Sequence, residues 1–244
     1  MNIGILGAGH IGATLAQKLA AQGHSVKLAN SRGAASLRDL AARIGVTAAD
    51  QKDAVKDVEV IIVSVPLANV PQLAELLSDV PQSVVLIDTT NYYPFRDGTL
   101  PALQAGQPES VWVSEQLGRP VVKAWNAALA QTLSSRGQPA GTPGRLALPV
   151  AGDDAEAKQI ARRLVQDSGF DALDAGPLAE SWRQQPGTPA YCTELTLPEL
   201  NTALAAADQQ RAPINRDAAM ERLMNLGRTP THDEIVQINR DASA

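Results

Sequence analysis

The architecture of the chain is most legible in Asn2-Ile3-Gly4-Ile5-Leu6-Gly7-Ala8-Gly9-His10-Ile11-Gly12. A short apolar run ends in glycines, and Ile11, Leu15, Ala16 and Leu19 then recur at helical spacing as far as Ala21. That order reads as strand, turn, helix. The turn satisfies G-x-G-x-x-G in the context that gives the pattern its meaning. Gly7 permits a tight turn, Gly9 lets a pyrophosphate approach the main chain, and Gly12 lets helix and strand pack closely. The free N–H groups near His10 and Ile11 then face an anion with the favourable end of the helix dipole. Gly23 stops the helix and Ser25 to Ala29 reads as a second strand, which completes one βαβ unit.

Working outward, apolar runs followed by helical patterns lie at Val58–Val65, Ser83–Ile87 and Pro120–Ala124, with further strands at Leu146–Ala151 and Phe170–Asp174. Strands alternating with helices predict an α/β fold, a doubly wound and mostly parallel sheet covered on both faces. Asp153-Asp154-Ala155-Glu156 reads as a helix start resembling a capping box. Gly176-Pro177 ends the pattern, so residues 1–176 are expected to form a dinucleotide-binding domain and 177–244 a small helical C-terminal domain. Such a tail is too small to fold alone and must pack on the first domain or on a second subunit. Within it Ile214-Asn215-Arg216-Asp217-Ala218 returns as Ile238-Asn239-Arg240-Asp241-Ala242, read as two similar helix starts.

Ligands of open α/β sheets bind beyond the carboxyl ends of the strands. After the second strand, where an acidic residue would bind the ribose 2′-hydroxyl of NAD, the chain has Asn30-Ser31-Arg32. A serine hydroxyl and a guanidinium fork suit a 2′-phosphate, so the expected cofactor is NADP(H). Ser64-Val65-Pro66 and Trp125-Asn126 end later strands and are expected along the same groove. Three of the chain's eight aromatic residues, Tyr92, Tyr93 and Phe95, cluster just beyond Asp88-Thr89-Thr90-Asn91. Asn91 and Tyr92, with Trp182, Pro189 and Tyr191 from the segment expected to close over the cleft, are the candidate acceptor-binding residues.

The glycine turn, Asn30-Ser31-Arg32, Val150-Ala151-Gly152-Asp153-Asp154 and Leu173-Asp174-Ala175-Gly176-Pro177-Leu178 together resemble the NADPH-dependent coenzyme F420 reductases, over roughly residues 1–200. The resemblance implies a Rossmann domain with a small C-terminal domain, a homodimer, and a cleft in which a deazaflavin ring stacks on the nicotinamide. It also implies that Ser31 and Arg32 hold the 2′-phosphate and that Ser64-Val65-Pro66 lines the cofactor groove.

Hydride transfer between a nicotinamide and F420 or a flavin depends mainly on alignment, and no catalytic acid or base is assigned. Alternation along a strand points Lys123 and Asn126 to different sides, which argues against a joint catalytic role. Alternative readings are a reductase of a small carbonyl or quinone, with Asn126 or a tyrosine giving the proton, and a non-catalytic NADP(H)-binding sensor. The single cysteine, Cys192, has no basic neighbour and reads as a small buried hydrophobe. Three histidines without cysteine partners offer no metal spacing. Twenty-one basic against 26 acidic residues, with no basic run, leave no electrostatic footprint for nucleic acid or an anionic membrane. With no basic leader and no long apolar stretch, a cytoplasmic protein acting on a small-molecule acceptor is expected.

Overall fold

The computed structural model describes residues 1–244. Strand β1 (Asn2–Leu6), helix α1 (His10–Ala21) and strand β2 (Ser25–Ala29) form the expected βαβ unit. They are followed by β3 (Thr47–Ala48), β4 (Val60–Val63), β5 (Val85–Asp88) and β6 (Val122–Lys123). All six are parallel, in the order β3-β2-β1-β4-β5-β6, so the chain winds outward from β1 in both directions. This is the Rossmann order, with its crevice where the winding reverses between β1 and β4.

The central strands β1, β4 and β5 are apolar but for Asn2 and Asp88 at their ends, because both faces of the sheet are covered. Alternation sends Ile3, Ile5, Val60 and Ile62 into one buried layer, with Leu15 and Leu19 of α1. Ile61, Val63 and Leu86 enter the other, with Trp112 and Val113 of α2 (Glu109–Leu117). Burial of about 25 cal/mol per Å² of apolar surface on two faces is what holds such a sheet.

Two further strands, β7 (Ala147–Val150) and β8 (Asp171–Asp174), pair parallel with each other. They join the main sheet through an antiparallel bridge, in which the Lys123 N–H donates to Ala151 O at 2.8 Å and the Ala151 N–H to Lys123 O at 3.1 Å. The helix between them, α3 (Ala155–Asp167), starts one residue later than the sequence suggests. Asp154 is the cap, accepting from the Ala157 N–H at 2.7 Å, while Asp153 accepts from the Leu178 N–H at 2.8 Å. Glu156 therefore closes no capping box.

The C-terminal portion is helical. Helix α4 (Leu197–Ala205) lays Leu200, Ala203 and Leu204 on Ala147 of the β7–β8 pair. Helices α5 (Ala212–Met224) and α6 (His232–Ser243) pack on each other. The repeated pentapeptide does not mark two helix starts: Ile214 lies in the first turn of α5, but Ile238–Ala242 lies in the second half of α6. No helix is long and apolar enough to cross a membrane.

Candidate cofactor and acceptor site

At the end of β1 the glycines are dictated by close approach. Gly7 has φ +117°, and a Cβ there would fall 2.0 Å from Ser64 O; a Cβ on Gly12 would fall 1.9 Å from Gly7 O. Gly9 is different. It caps α1 without any side-chain bond, and nothing stands within 4 Å of where its Cβ would be. The turn is therefore tight inside and open outside, with the first N–H groups of a twelve-residue helix facing the opening. The His10 side chain is exposed and Ile11 half-buried, so their contribution at this point is main-chain. A groove of about 450 Å³ beside the turn is lined by Ala8, Gly9, His10, Thr14, Leu40 and Arg43, among others.

The loop after β2 is organised by Asn30. Its Oδ1 accepts from the Arg32 N–H at 2.9 Å and its Nδ2 donates to Ser36 Oγ at 3.0 Å. Ser36 Oγ in turn donates to Gly33 O at 2.8 Å, and Asp50 Oδ1 accepts from the Ala34 N–H at 2.8 Å. Ser36 and Asp50 are site-shaping residues that sequence reasoning missed. The result is an exposed tip in which the side chains of Ser31 and Arg32 bond to no other protein group. Ser64 and Val65 lie half-buried beside the glycine turn, with the Ser64 N–H donating to Leu6 O at 2.8 Å, and Pro66 is exposed.

On the β5–β6 side the polar side chains bond to one another. Asn126 Nδ2 donates to Asn91 Oδ1 at 3.0 Å and to Gln184 O at 2.7 Å. Gln184 Nε2 donates to Asn126 Oδ1 at 2.8 Å. Asn91 Nδ2 donates to Asn126 O at 2.9 Å and to Tyr191 Oη at 3.4 Å, and the Tyr191 and Tyr93 hydroxyls lie 2.7 Å apart. Asn91, Asn126 and Tyr191 are thus brought together, joined by Gln184 from the segment expected to close over the cleft and by Tyr93 of the aromatic cluster. Burial raises both phenols above the usual tyrosine range and pushes the neighbouring Cys192 thiol up to about 12, which leaves it inert.

Four expected site residues stand elsewhere. The Trp125 indole is 1% exposed, packs in the core under α1 and α3, and donates from Nε1 to Ser168 Oγ at 3.1 Å. It does not line the cleft, because Trp125 takes φ +60° and turns its side chain inward where strand alternation would no longer apply. Tyr92 is buried in the opposite layer with its hydroxyl on Gly98 O at 2.9 Å. Trp182 borders a separate small cavity with Tyr92, and Pro189 borders a surface depression beside Arg240.

Below the Asn91 turn lies a buried charged cluster. Lys123 Nζ donates to Ser110 Oγ at 2.9 Å, Thr90 O at 3.2 Å and Glu109 Oε2 at 3.4 Å, and stands 3.8 Å from Asp88 Oδ2. Ser110 Oγ donates to Asp88 Oδ2 at 2.6 Å. Burial raises the Glu109 carboxyl to about 7 against the opposing pull of Lys123. Lys123 is wholly buried and bonded within this cluster, whereas Asn126 bonds to Asn91 and Gln184. No group of three His, Cys, Asp or Glu side chains is placed to hold a metal.

The profile of the family described as NADP oxidoreductase, coenzyme F420-dependent, matches residues 2–92, which span the glycine turn through Tyr92. Protein YjhV of Escherichia coli (strain K12) is 41% identical over 102 residues, 42% of this chain and 74% of that protein. Hypothetical protein SMa0349 from Sinorhizobium meliloti is 32% identical in structure-based alignment, covering 80% of this chain and 95% of that one, with a TM-score of 0.71. A candidate F420-dependent NADP reductase from Arthrobacter sp. FB24 shares the fold over 93% of this chain and 95% of its own, at 23% identity and a TM-score of 0.61.

Proposed function

Because this chain belongs to the family of coenzyme F420-dependent NADP oxidoreductases, we propose that it binds NADP(H) across the ends of β1, β2 and β4 and passes hydride between the nicotinamide and a planar, flavin-like acceptor such as F420. The observation that carries the reading is the pairing of an open helix N-terminus at Gly9 with two unengaged side chains, Ser31 and Arg32, at the tip of the next strand. The dinucleotide supplies the hydride; the protein supplies alignment. Main-chain N–H groups of the glycine turn hold the pyrophosphate, and Ser31 with Arg32 grips the 2′-phosphate through charge-assisted bonds. Ser64 and Val65 border the path toward the β5 end, where Asn91, Asn126 and Tyr191 meet the acceptor. Alignment at this closed end accounts for the rate; the proton that completes reduction of the acceptor is taken from solvent, so no side chain is required to deliver it.

Replacing Arg32 by Ala tests the reading by calorimetry. Loss of one charge-assisted contact should weaken NADPH by about 1–3 kcal/mol and leave NADH nearly unchanged; equal losses for the two nucleotides overturn the assignment. Following NADPH absorbance with F420, FMN and menadione then identifies the acceptor class.

A second reading, reduction of a small carbonyl or quinone, is favoured by the two tyrosines. Tyr191 can donate to Tyr93 Oη, which frees the half-buried Tyr93 hydrogen for a substrate oxygen. Asn126 is the weaker donor, since both its N–H groups are already bonded. Turnover with carbonyls or quinones but not with F420 or FMN selects this reading, and tight NADPH binding without turnover selects a sensor.

A further inference from the structure

Charged side chains flank the main chain around Asn91. Asp88 Oδ1 accepts from the Thr90 N–H at 2.9 Å and Lys123 Nζ donates to Thr90 O at 3.2 Å, while the Glu109 carboxyl lies toward the Tyr92 N–H and borders the same small cavity as Tyr92. Asn91 sits between these residues, and its side chain reaches Asn126 O and Tyr191 Oη. A structural ion pair would need one cation and one anion. This cluster sets a single lysine against two carboxylates, with Ser110 bridging Lys123 to Asp88.

We propose that Lys123, Glu109, Asp88 and Ser110 form a positioning device for the acceptor side of the site, in which proton gain or loss at Glu109 moves the Thr90–Tyr92 segment and thereby the Asn91 side chain, making acceptor turnover, but not nucleotide affinity, depend on pH.

When Glu109 is ionised it draws both the Lys123 ammonium and the Tyr92 N–H toward itself. When it is protonated the ammonium is drawn instead to Asp88, now 3.8 Å away, and its hold on Thr90 O shifts with it. The groups facing Glu109 are Lys123 of β6, Asp88 of β5, the Tyr92 N–H and the Tyr93 phenol, with Arg216 of α5 across a small cavity. Burial raises its carboxyl to about 7, within the neutral range, against the pull of Lys123. A route for the proton exists away from the cofactor groove. Glu109 lines a cavity of about 50 Å³ with Tyr92, Trp182, Gln185, Gln209 and Arg216, the last two exposed or near the surface. That is room for a water, which needs roughly 10–15 Å³. Gln185 Nε2, a buried donor without a protein partner, borders the same space.

The kinetic half of this proposal rests on the acceptor reading above; the structural half does not. In the full chain labelled with ¹⁵N, the Tyr92 main-chain amide and the Asn91 side-chain amide should titrate together with one midpoint near pH 7, and in Glu109→Gln neither should titrate. An Asn91 signal that ignores pH while Tyr92 follows it, or a titration that survives Glu109→Gln, overturns the device. Should Glu109→Gln fail to fold, coincident midpoints in the unsubstituted protein support the proposal and divergent ones sink it. With F420 or menadione as acceptor, kcat/KM should inflect at that same pH and lose the inflection in Glu109→Gln, with the NADPH dissociation constant unmoved. An inflection carried by NADPH binding refutes the proposal. If calorimetry finds no NADPH binding, the functional reading fails, and the two amide titrations still decide the device.

Discussion

The two ends of the cleft are built on opposite terms. At the β1–β2 end the protein leaves its polar groups unpaired: the first turn of α1 opens onto empty space at Gly9, and Ser31 and Arg32 project from an exposed tip. At the β5–β6 end the polar side chains are linked to one another, from Gln184 through Asn126 and Asn91 to Tyr191 and Tyr93, above a buried lysine and two carboxylates, with Thr90 Oγ1 and Gln184 Oε1 left unpartnered. On the function proposed above, the first end gains hydrogen bonds when a phosphate arrives. The second would have to exchange existing bonds for new ones, which suits discrimination between acceptors, because an ill-fitting one leaves buried groups unpaired. The contrast also separates stability from binding. Substitutions at the closed end should act mainly on folding, and those at the open end mainly on ligand affinity.

The largest effect expected from that contrast is at Lys123. Replacing it by Met keeps the stem and removes the sole cation of the cluster, so Asp88 and Glu109 face each other without compensation. Breaking a buried pair in this way costs about 3–5 kcal/mol, readable as a lower urea midpoint. The cost should depend on pH with a definite sign. The Glu109 carboxyl is raised from 4.5 to about 7, so its contribution to stability is complete below pH 4.5 and is lost as pH rises through 7. Lys123→Met removes the attraction that restrains this rise, so its deficit should widen between pH 5 and pH 8. A variant as stable as the unsubstituted protein at pH 8 would break the comparison at its closed end.

A smaller effect sharpens the open end. Gly12→Ala drives a Cβ into Gly7 O at 1.9 Å, and a main-chain atom cannot swing aside. Overpacking of this kind costs about 1–3 kcal/mol. Gly9→Ala meets no atom within 4 Å and keeps an extended backbone, so stability should hold while NADPH affinity falls. Equal losses of stability in both variants, measured by urea unfolding alongside calorimetry, would mean that the space at Gly9 is structural.

The contrast explains what could be read from the chain. The open end is written in contiguous residues, 7–12, 30–32 and 64–66, whose spacing carries the chemistry, and the sheet order follows from apolar runs buried on both faces. The closed end is assembled from Asp88, Asn91, Glu109, Lys123, Asn126, Gln184 and Tyr191, which no local pattern connects. One signal was present. Asp88 and Lys123 each end an otherwise apolar run, and the parallel register sets them opposite one another. Two opposite charges at the buried ends of neighbouring strands imply a pair. Trp125 escaped for a different reason: a left-handed residue directly after the strand resets side-chain direction, so a period of two says nothing about where the indole points.

That reset yields the smallest test, on a residue that lies beside the closed end without belonging to it. Trp125→Phe keeps an aromatic ring in the core under α1 and α3 but removes the Nε1 donor to Ser168 Oγ. Ser168 Oγ still donates to Val165 O at 2.7 Å, so no buried donor is stranded by the change. The loss should be about 1 kcal/mol, the net worth of one neutral hydrogen bond. Acceptor kinetics should be untouched, since the indole is separated from Asn126 by the turn of the main chain itself. If Trp125→Phe instead raises the acceptor KM with stability intact, the indole and the Asn126 network form one unit, and the boundary between core and acceptor site must be drawn one residue earlier, before Trp125.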